Sequence, residues 1–383
     1  MSLLTAVEIA AEFPLTREYL YFNGASTGII PERALAAAEN FLTLYRDSDL
    51  SHDAETFRKL DDLRENMAKL IGAESGSIAL VPNTSVGLNI IASGLKWSEG
   101  DEIIVGNREF PANSYPWANL RDKGVRLRWI EMEDGRITPG QIAENINDDT
   151  RLLTISAVQF GDGYRADLNS IGKICEDNGV ILTVDGIQAA GALSANCAGW
   201  GVSAFAAGGQ KHLLSGYGTG FLMVSKKLLD RLSPAYDGWL SHFTRPEDFL
   251  DMLRHNMPPA IGARRLEVGS LAYPNLLAMH ESMKMLLELR ISEVERHNLN
   301  LSDIFCDGIS RIPGASVTSD RSPENKSHIV SVEVDDAETA AAGLRENKVI
   351  CSLREGRLRF AFHIYNSEDQ VERALSVLGK SVR

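Results

Sequence analysis

Asp185, Gln188 and Lys211 are the residues of this 383-residue chain whose types and spacing most readily do chemistry. Asp185 closes the apolar run VILTVD and Gln188 follows three residues later in the turn, a place where open α/β sheets bind ligands. Lys211 lies 26 residues after Asp185, beyond the apolar run AFAAGG and before the glycine-rich SGYGTG. A lysine at the tip of a buried strand is costly unless it is exposed, paired or covalently engaged. Covalent engagement fits a pyridoxal phosphate site, which needs an amine to condense with the aldehyde and a carboxylate to keep the pyridine nitrogen protonated. Lys211 and Asp185 supply that pair, and Gln188 supplies a donor for the ring's phenolic oxygen. The phosphate needs an anchor, and in PNTSVGLNIIASGL the residues Thr84 and Ser85 open a helix whose free N–H groups and dipole favour an anion.

Plainer uses compete with each of these. Asp185 alone is also a turn or helix cap, Thr84 and Ser85 are also caps, and a glutamine in a turn has many structural roles. His212 follows Lys211 directly, but neighbours on an extended segment point apart, so it reads as structural. The other histidines show no metal spacing, and Cys351 reads as a buried small hydrophobe rather than a nucleophile. The glycines of SGYGTG lead into the strand-like GFLMVS, whereas a dinucleotide loop needs a strand before it and a helix after it.

The elements that must position these residues follow from the apolar pattern. Residues 56 to 71 carry Phe57, Leu60, Leu63, Met67, Leu70 and Ile71 at helical spacing, with Gly72 as a stop. SIALV (77–81), DEIIV (101–105), RLLTISAV (151–158), VILTVD (180–185), AFAAGG (204–209) and GFLMVS (220–225) read as strands, several apolar throughout and so covered on both faces. An α/β fold follows. A stripe of Leu276, Met279, Met283, Leu286 and Leu289 predicts one long helix over 271–295. HIVSVEV, a helix near 337–346, VICSLRE, RLRFAFHIY and a last helix near 367–379 predict a smaller α+β unit. The expected division is a large unit over 15–275 and a small one from 1–14 and 276–383, sharing a cleft.

Composition narrows the partners. The 52 acidic residues exceed the 39 basic ones by 13, which argues against nucleic acid or anionic lipid and for a small-molecule ligand. Cys175, Cys197, Cys306 and Cys351 form no C-x-x-C, no apolar run approaches the ~20 residues of a membrane span, and the first residues lack a basic leader. No metal site and a cytoplasmic location are the expectations.

Together, YFNGASTG (21–28), NTSVG, VDGIQ, GGQK followed by GYGTG, RLEVGS (265–270) and RLRFAFHIYN (357–366) resemble the class V aminotransferase family of fold-type I pyridoxal phosphate enzymes. That family includes cysteine desulfurases, selenocysteine lyases and isopenicillin N epimerase-like proteins, and the resemblance spans nearly the whole chain. It implies that Lys211 is the Schiff-base lysine, Asp185 the pyridinium partner, Gln188 the residue near the ring oxygen, and Thr84 and Ser85 the phosphate-binding pair. Gln210 stands where many relatives carry a phosphate-binding histidine. Ser270 is similar to a hydroxyl that reaches the phosphate from the other subunit, implying a homodimer with composite sites. Arg359 matches the arginine that clamps a substrate α-carboxylate. Arg354 and Arg357 compete for that role; strand alternation puts Arg357 and Arg359 on one face and Arg354 on the other, and only the family pattern favours Arg359.

Departures from the family bear on the reaction. In REFPANSYPW, Phe110 and Pro111 replace the ring-stacking histidine of desulfurases, so Phe110 is either a stacking residue or a core aromatic. SAVQFGDG lacks the desulfurase asparagine near Gln159 and Phe160, and the path from VICSLREG to RLRF is short for a cysteine-bearing loop. The implied function is action on an amino acid through an external aldimine, by transamination or epimerisation. Cysteine desulfurase or selenocysteine lyase chemistry is the alternative, and a catalytically silent binding protein on the same fold is the alternative of another class.

Overall fold

The computed structural model describes residues 4–48, 54–132 and 135–382. The strands are β1 (Leu20–Tyr21), β2 (Ile78–Leu80), β3 (Glu102–Gly106), β4 (Arg126–Ile130), β5 (Thr150–Ser156), β6 (Ile181–Asp185), β7 (Ala204–Gly208) and β8 (Gly220–Val224). They continue with β9 (Ala315–Val317), β10 (Ile329–Val334), β11 (Val349–Ile350), β12 (Ser352–Arg354) and β13 (Arg357–Ala361). A seven-stranded sheet runs β2-β8-β7-β6-β5-β3-β4, parallel from β7 to β4, with β8 antiparallel to both of its neighbours. Every residue of β6, β7 and β8 is buried, as continuous apolar runs require when helices cover both faces. β4 was not foreseen: RLRWI carries two arginines and is largely exposed, because it forms an edge of the sheet.

A second sheet, β12-β13-β10-β9, is antiparallel and packs Phe360 and Leu358 against Phe305 and Leu375 of the C-terminal helices. VICSLRE, expected as one strand, is two. β11 pairs with β1 in a small parallel sheet, and β12 turns at Glu355 and Gly356 into a hairpin with β13. Both turn residues have positive φ, 49° and 76°, the conformation that a two-residue hairpin turn demands and that glycine adopts freely. The helix expected over 271–295 is also two, Tyr273–Leu289 and Ile291–Ile309, broken where Arg290 takes φ 63°. The apolar stripe continues across the break, so periodicity did not mark it.

Residues 21–23 of the N-terminal segment are fastened to the second sheet and the turn that follows it. Besides the β1–β11 pairing, Asn23 bridges Ala361 and Asn366 Nδ2 donates to Tyr21 O at 2.9 Å. No described helix is long and apolar enough to cross a membrane.

Candidate active site

The C-terminal ends of β5, β6 and β7, where parallel α/β sheets hold ligands, open onto a cavity of about 290 Å³. Asp185, Lys211, Thr84, Ser85, Phe110, Gln210 and Arg359 all line it, seven of the nine residues that the sequence singled out. Asp185, at the end of β6, is 2 % exposed, and its Oδ1 accepts the Ile187 N–H at 3.0 Å. Burial pushes its carboxyl up to about 6, opposed by the Ile187 N–H and the Lys211 charge and reinforced by Glu109.

Lys211 sits in the turn after β7. Burial, helped by Arg359 and Arg354, pulls its ammonium down to about 8 against the attraction of Asp185. The amine is thus held near the point of deprotonation at neutral pH, the state in which it is nucleophilic. Its backbone is clamped: Gly28 N donates to Gln210 O at 2.8 Å, and a Cβ on Gly28 would lie 1.9 Å from Lys211 O. Only a glycine permits that approach.

Thr84 opens the helix Thr84–Gly94, capped by Asn83 Oδ1, which accepts the Val86 N–H at 2.9 Å. The Thr84 hydroxyl is buried and has no protein partner, whereas Ser85 is exposed at the cavity wall. Phe110 is 42 % exposed and packs edge-to-face on Phe160 at 5.2 Å, with Lys211 Nζ 5.7 Å from its ring centre. A ring at the cavity wall over the lysine is not a core aromatic, so the geometry favours the stacking alternative for Phe110.

Arg359, on β13, is 2 % exposed yet faces no carboxylate: Nε donates to Ser352 Oγ at 3.1 Å, Nη2 to Ser26 Oγ at 2.8 Å and Nη1 to Phe160 O. Burial and the neighbouring Arg354 bring its guanidinium down to about 9. Arg354 also donates to Ser26 Oγ, at 3.2 Å, and lines the cavity. Strand alternation, counted through the turn, had put Arg354 on the far face. The hairpin corrects this, because it reverses the chain and residues opposite each other across an antiparallel pair share a face.

Two of the expected residues lie elsewhere. Gln188 is buried behind the cavity, its Nε2 donating to Ala25 O at 3.0 Å and its Oε1 facing His212 Nε2 at 3.0 Å. Ser270 is exposed and is not part of the cavity wall.

The sequence missed Ser26, Asn83, Phe160 and Arg354 as cavity residues, and it missed Glu109 altogether. Glu109 is a buried carboxylate that accepts from Asn113 Nδ2, Ser156 N, Ser156 Oγ and Gln159 Nε2, and so ties the Phe110 loop to β5 beside Asp185. A glutamate next to an aromatic before a proline carried no periodic signal. Cys351 lies between β11 and β12, outside the cavity wall, and burial pushes its thiol up to about 12.

Pyridoxal phosphate fits this set of residues. The cavity has the size of a small-molecule site, an amine with a lowered pKa and a buried carboxylate stand within one another's field, and an unpartnered hydroxyl waits at a helix N-terminus.

Comparison with known proteins agrees with that chemistry. The family described as Aminotransferase class-V matches residues 20–374. A probable cysteine desulfurase of Methanothermobacter thermautotrophicus is 27 % identical over 396 residues, covering 97 % of each chain. The uncharacterized aminotransferase YcbU of Bacillus subtilis is 28 % identical over 366 residues, 95 % of this chain and 94 % of its own. Among solved structures, the apo cysteine desulfurase of Thermococcus onnurineus has the same fold, with a TM-score of 0.88 at 23 % identity over 100 % of this chain and 98 % of that one.

Proposed function

The chain belongs to the class-V aminotransferase family of pyridoxal phosphate enzymes, and from that premise we propose that it acts at the Cα of an amino acid by transamination or epimerisation. The observation that carries this is the pairing of Lys211, lowered to about 8, with the buried Asp185 in one cavity with Arg359. Pyridoxal phosphate, when bound, supplies an electron sink that acidifies the substrate's Cα–H.

The chain's own residues do the rest. Thr84, Ser85 and Gln210 would hold the phosphate, and Phe110 would cover one face of the ring. Asp185 would hold the proton on the pyridine nitrogen, since a carboxylate in a dry site favours a cation beside it. Gln188, from behind the cavity wall, would offer its second Nε2 hydrogen to the ring oxygen. Arg359 would bind the α-carboxylate and so present Cα to Lys211, which would take up the Cα proton. Transamination would need only this one base, whereas epimerisation would need a second acid on the opposite face of Cα.

Sulfur transfer from cysteine is the second reading, favoured by the relatives named probable cysteine desulfurase. Against it, no cysteine lines the cavity among the described residues, and the two-residue turn between β12 and β13 leaves no loop to carry one there.

The active unit in this proposal is a cytoplasmic homodimer, each copy built of a large unit over 15–275 and a small unit from 1–14 and 276–383. Ser270 of one copy reaches the phosphate of the other. Supporting this, Ser270 is exposed beside Val268, and Ile261 is 97 % exposed in the same stretch, an apolar surface of the kind interfaces cover. The cysteines are free thiols, as a reducing compartment leaves them.

Borohydride treatment of the cofactor-loaded protein tests the reading. It is expected to fix the cofactor on the peptide containing Lys211, and a label on any other lysine overturns it. Separate assays for oxo acid, racemised amino acid and sulfide then rank the reactions, and sulfide release from cysteine at full turnover puts sulfur transfer first.

A further inference from the structure

His212, His328 and His363 form a buried cluster behind Lys211, each at most 1 % exposed. The hydrogen bonds around them assign the tautomers, with His212 Nδ1 and His328 Nδ1 left buried and unpartnered. Ala25 O is an acceptor only, so the end of the Gln188 amide that meets it at 3.0 Å is the NH₂ group. The carbonyl Oε1 therefore faces His212, and His212 Nε2, 3.0 Å away, carries a hydrogen and donates it. His328 Nε2 lies 3.2 Å from that same nitrogen and must be the unprotonated partner, which puts the His328 proton on Nδ1. His363 Nδ1 accepts the Ile364 N–H at 2.9 Å, so His363 Nε2 bears the hydrogen and donates it to His212 O at 3.2 Å.

His212 is thus pinned at both ends, its ring by Gln188 and His328 and its backbone by His363. The His363 ring stacks on it at 5.6 Å with planes 2° apart. The charged and titratable groups that act on it are Lys211, Arg359, His328 and His363, and Tyr365 OH stands nearby across Gly24. Each cation among them, together with burial, keeps the ring neutral and so keeps its single N–H on Nε2.

The consequence lies in Gln188. One hydrogen of its Nε2 is committed to Ala25, whose own residue lines the cavity, and the second is uncommitted. Without His212, the amide has one lock at its nitrogen end; with it, both ends are fixed and the carbonyl cannot swing round.

We propose that His212 is a positioning residue that locks Gln188 so that the phenolic oxygen of the cofactor meets an N–H and never a carbonyl oxygen, which stabilises that oxygen as the anion. The proposal rests on the reading that Gln188 lies beside that oxygen.

The test is a pH titration of the visible absorption of the protein loaded with pyridoxal phosphate, in wild type, His212→Phe, Gln188→Met and the double variant. Loss of a donor to an anionic oxygen raises the pH of the spectral transition, by ~1–2 units for a charge-assisted bond. His212→Phe and Gln188→Met are each expected to show that rise, and the double variant no more than Gln188→Met. His328→Phe, which removes only the ring's outer neighbour, is expected to lower thermal stability and leave the transition in place. His212→Phe titrating as wild type overturns the proposal, as does an additive rise in the double variant. Should His212→Phe not fold, His212→Gln, which retains an N–H donor, is expected to keep the wild-type transition, and His212→Leu to raise it; equal transitions in the two overturn the proposal. Wild-type protein that takes up the cofactor without any visible band refutes the cofactor reading itself, a failure separate from that of His212.

Discussion

Replacing Arg359 by lysine is the most direct probe of how the cavity reads its substrate. A guanidinium has five N–H donors, and three of those of Arg359 are spent on Ser352 Oγ, Ser26 Oγ and Phe160 O. The two that remain sit one on Nη1 and one on Nη2, the two-pronged pair that matches a carboxylate. Lysine keeps the charge but offers a point rather than a fork, so one of the two charge-assisted bonds is lost, at about 1.5–3 kcal/mol. That is roughly a 10- to 150-fold fall in kcat/KM. Arg359→Ala removes both bonds, for a fall of roughly 10²- to 10⁴-fold. The assay compares each amino acid with the amine that lacks its carboxylate, following the absorbance of the cofactor-loaded protein. Wild type is expected to prefer the acid strongly, and Arg359→Ala to respond to both alike. Arg354→Lys, at an exposed residue, is expected to change the preference by less than about fivefold. A preference that survives Arg359→Ala, or that disappears in Arg354→Lys instead, refutes the assignment of the clamp.

Three further outcomes follow from the geometry. The Asp185 carboxyl is raised from 3.8 to about 6 in the folded chain, so its contribution to stability is complete below the unfolded value and is lost as pH rises through about 6. In cofactor-free protein Asp185→Asn, which does not titrate, is therefore expected to gain on wild type by roughly 3 kcal/mol between pH 4 and pH 7, and a pH-independent difference in urea midpoints contradicts this. Glu267 holds Arg64 through two bonds of 2.6 and 2.8 Å and accepts Leu80 N–H at 2.9 Å, all buried. Glu267→Ala is expected to cost up to about 3–5 kcal/mol in urea unfolding, because it leaves the buried Arg64 with only the exposed Asp61 as a partner, and a loss under about 1 kcal/mol rejects a structural role for the pair. Gly28→Ala pushes a methyl against Lys211 O; overpacking of this kind costs ~1–3 kcal/mol, and cofactor affinity is expected to weaken roughly 5- to 150-fold, measured by spectral titration. Unchanged affinity shows that the clamp on the lysine backbone is dispensable.

The parts of the fold that were legible in the sequence are those whose burial is one-sided or total. The six apolar runs each became a strand within a residue or two, because strands covered on both faces leave a continuous apolar signature, and the helices 337–346 and 368–381 followed from their periodicity. β4 was hidden by its arginines, and the break at Arg290 by an apolar stripe that runs on through it. At the cavity, Asp185, Lys211 and Thr84 stood out because their positions at or just beyond strand and helix ends carry meaning on their own, whereas Arg359 stood out through the family pattern alone. Ser26, Phe160 and Glu109 did not, since the bonds that tie each to the far side of the site reach partners at least 47 positions distant. Arg354 was placed on the wrong face because alternation was counted straight through the turn at Glu355 and Gly356, where the chain reverses.

By sequence order Ser26 is an early residue, far from the arginines it touches, but by attachment it is theirs. β1 is paired with β11, Asn23 is bridged to Ala361, and Ser26 takes hydrogen bonds from both Arg354 and Arg359. Ala25 O also accepts from Gln188 Nε2, and Gly28 N donates to Gln210 O, so Ser26 sits in a short strap that ties the four-stranded sheet to the Lys211 side of the cavity. Any swing of that sheet against Lys211 and Asp185 must break one set of these bonds, and probes on Ser26, Arg359 and Lys211 would tell which set gives way.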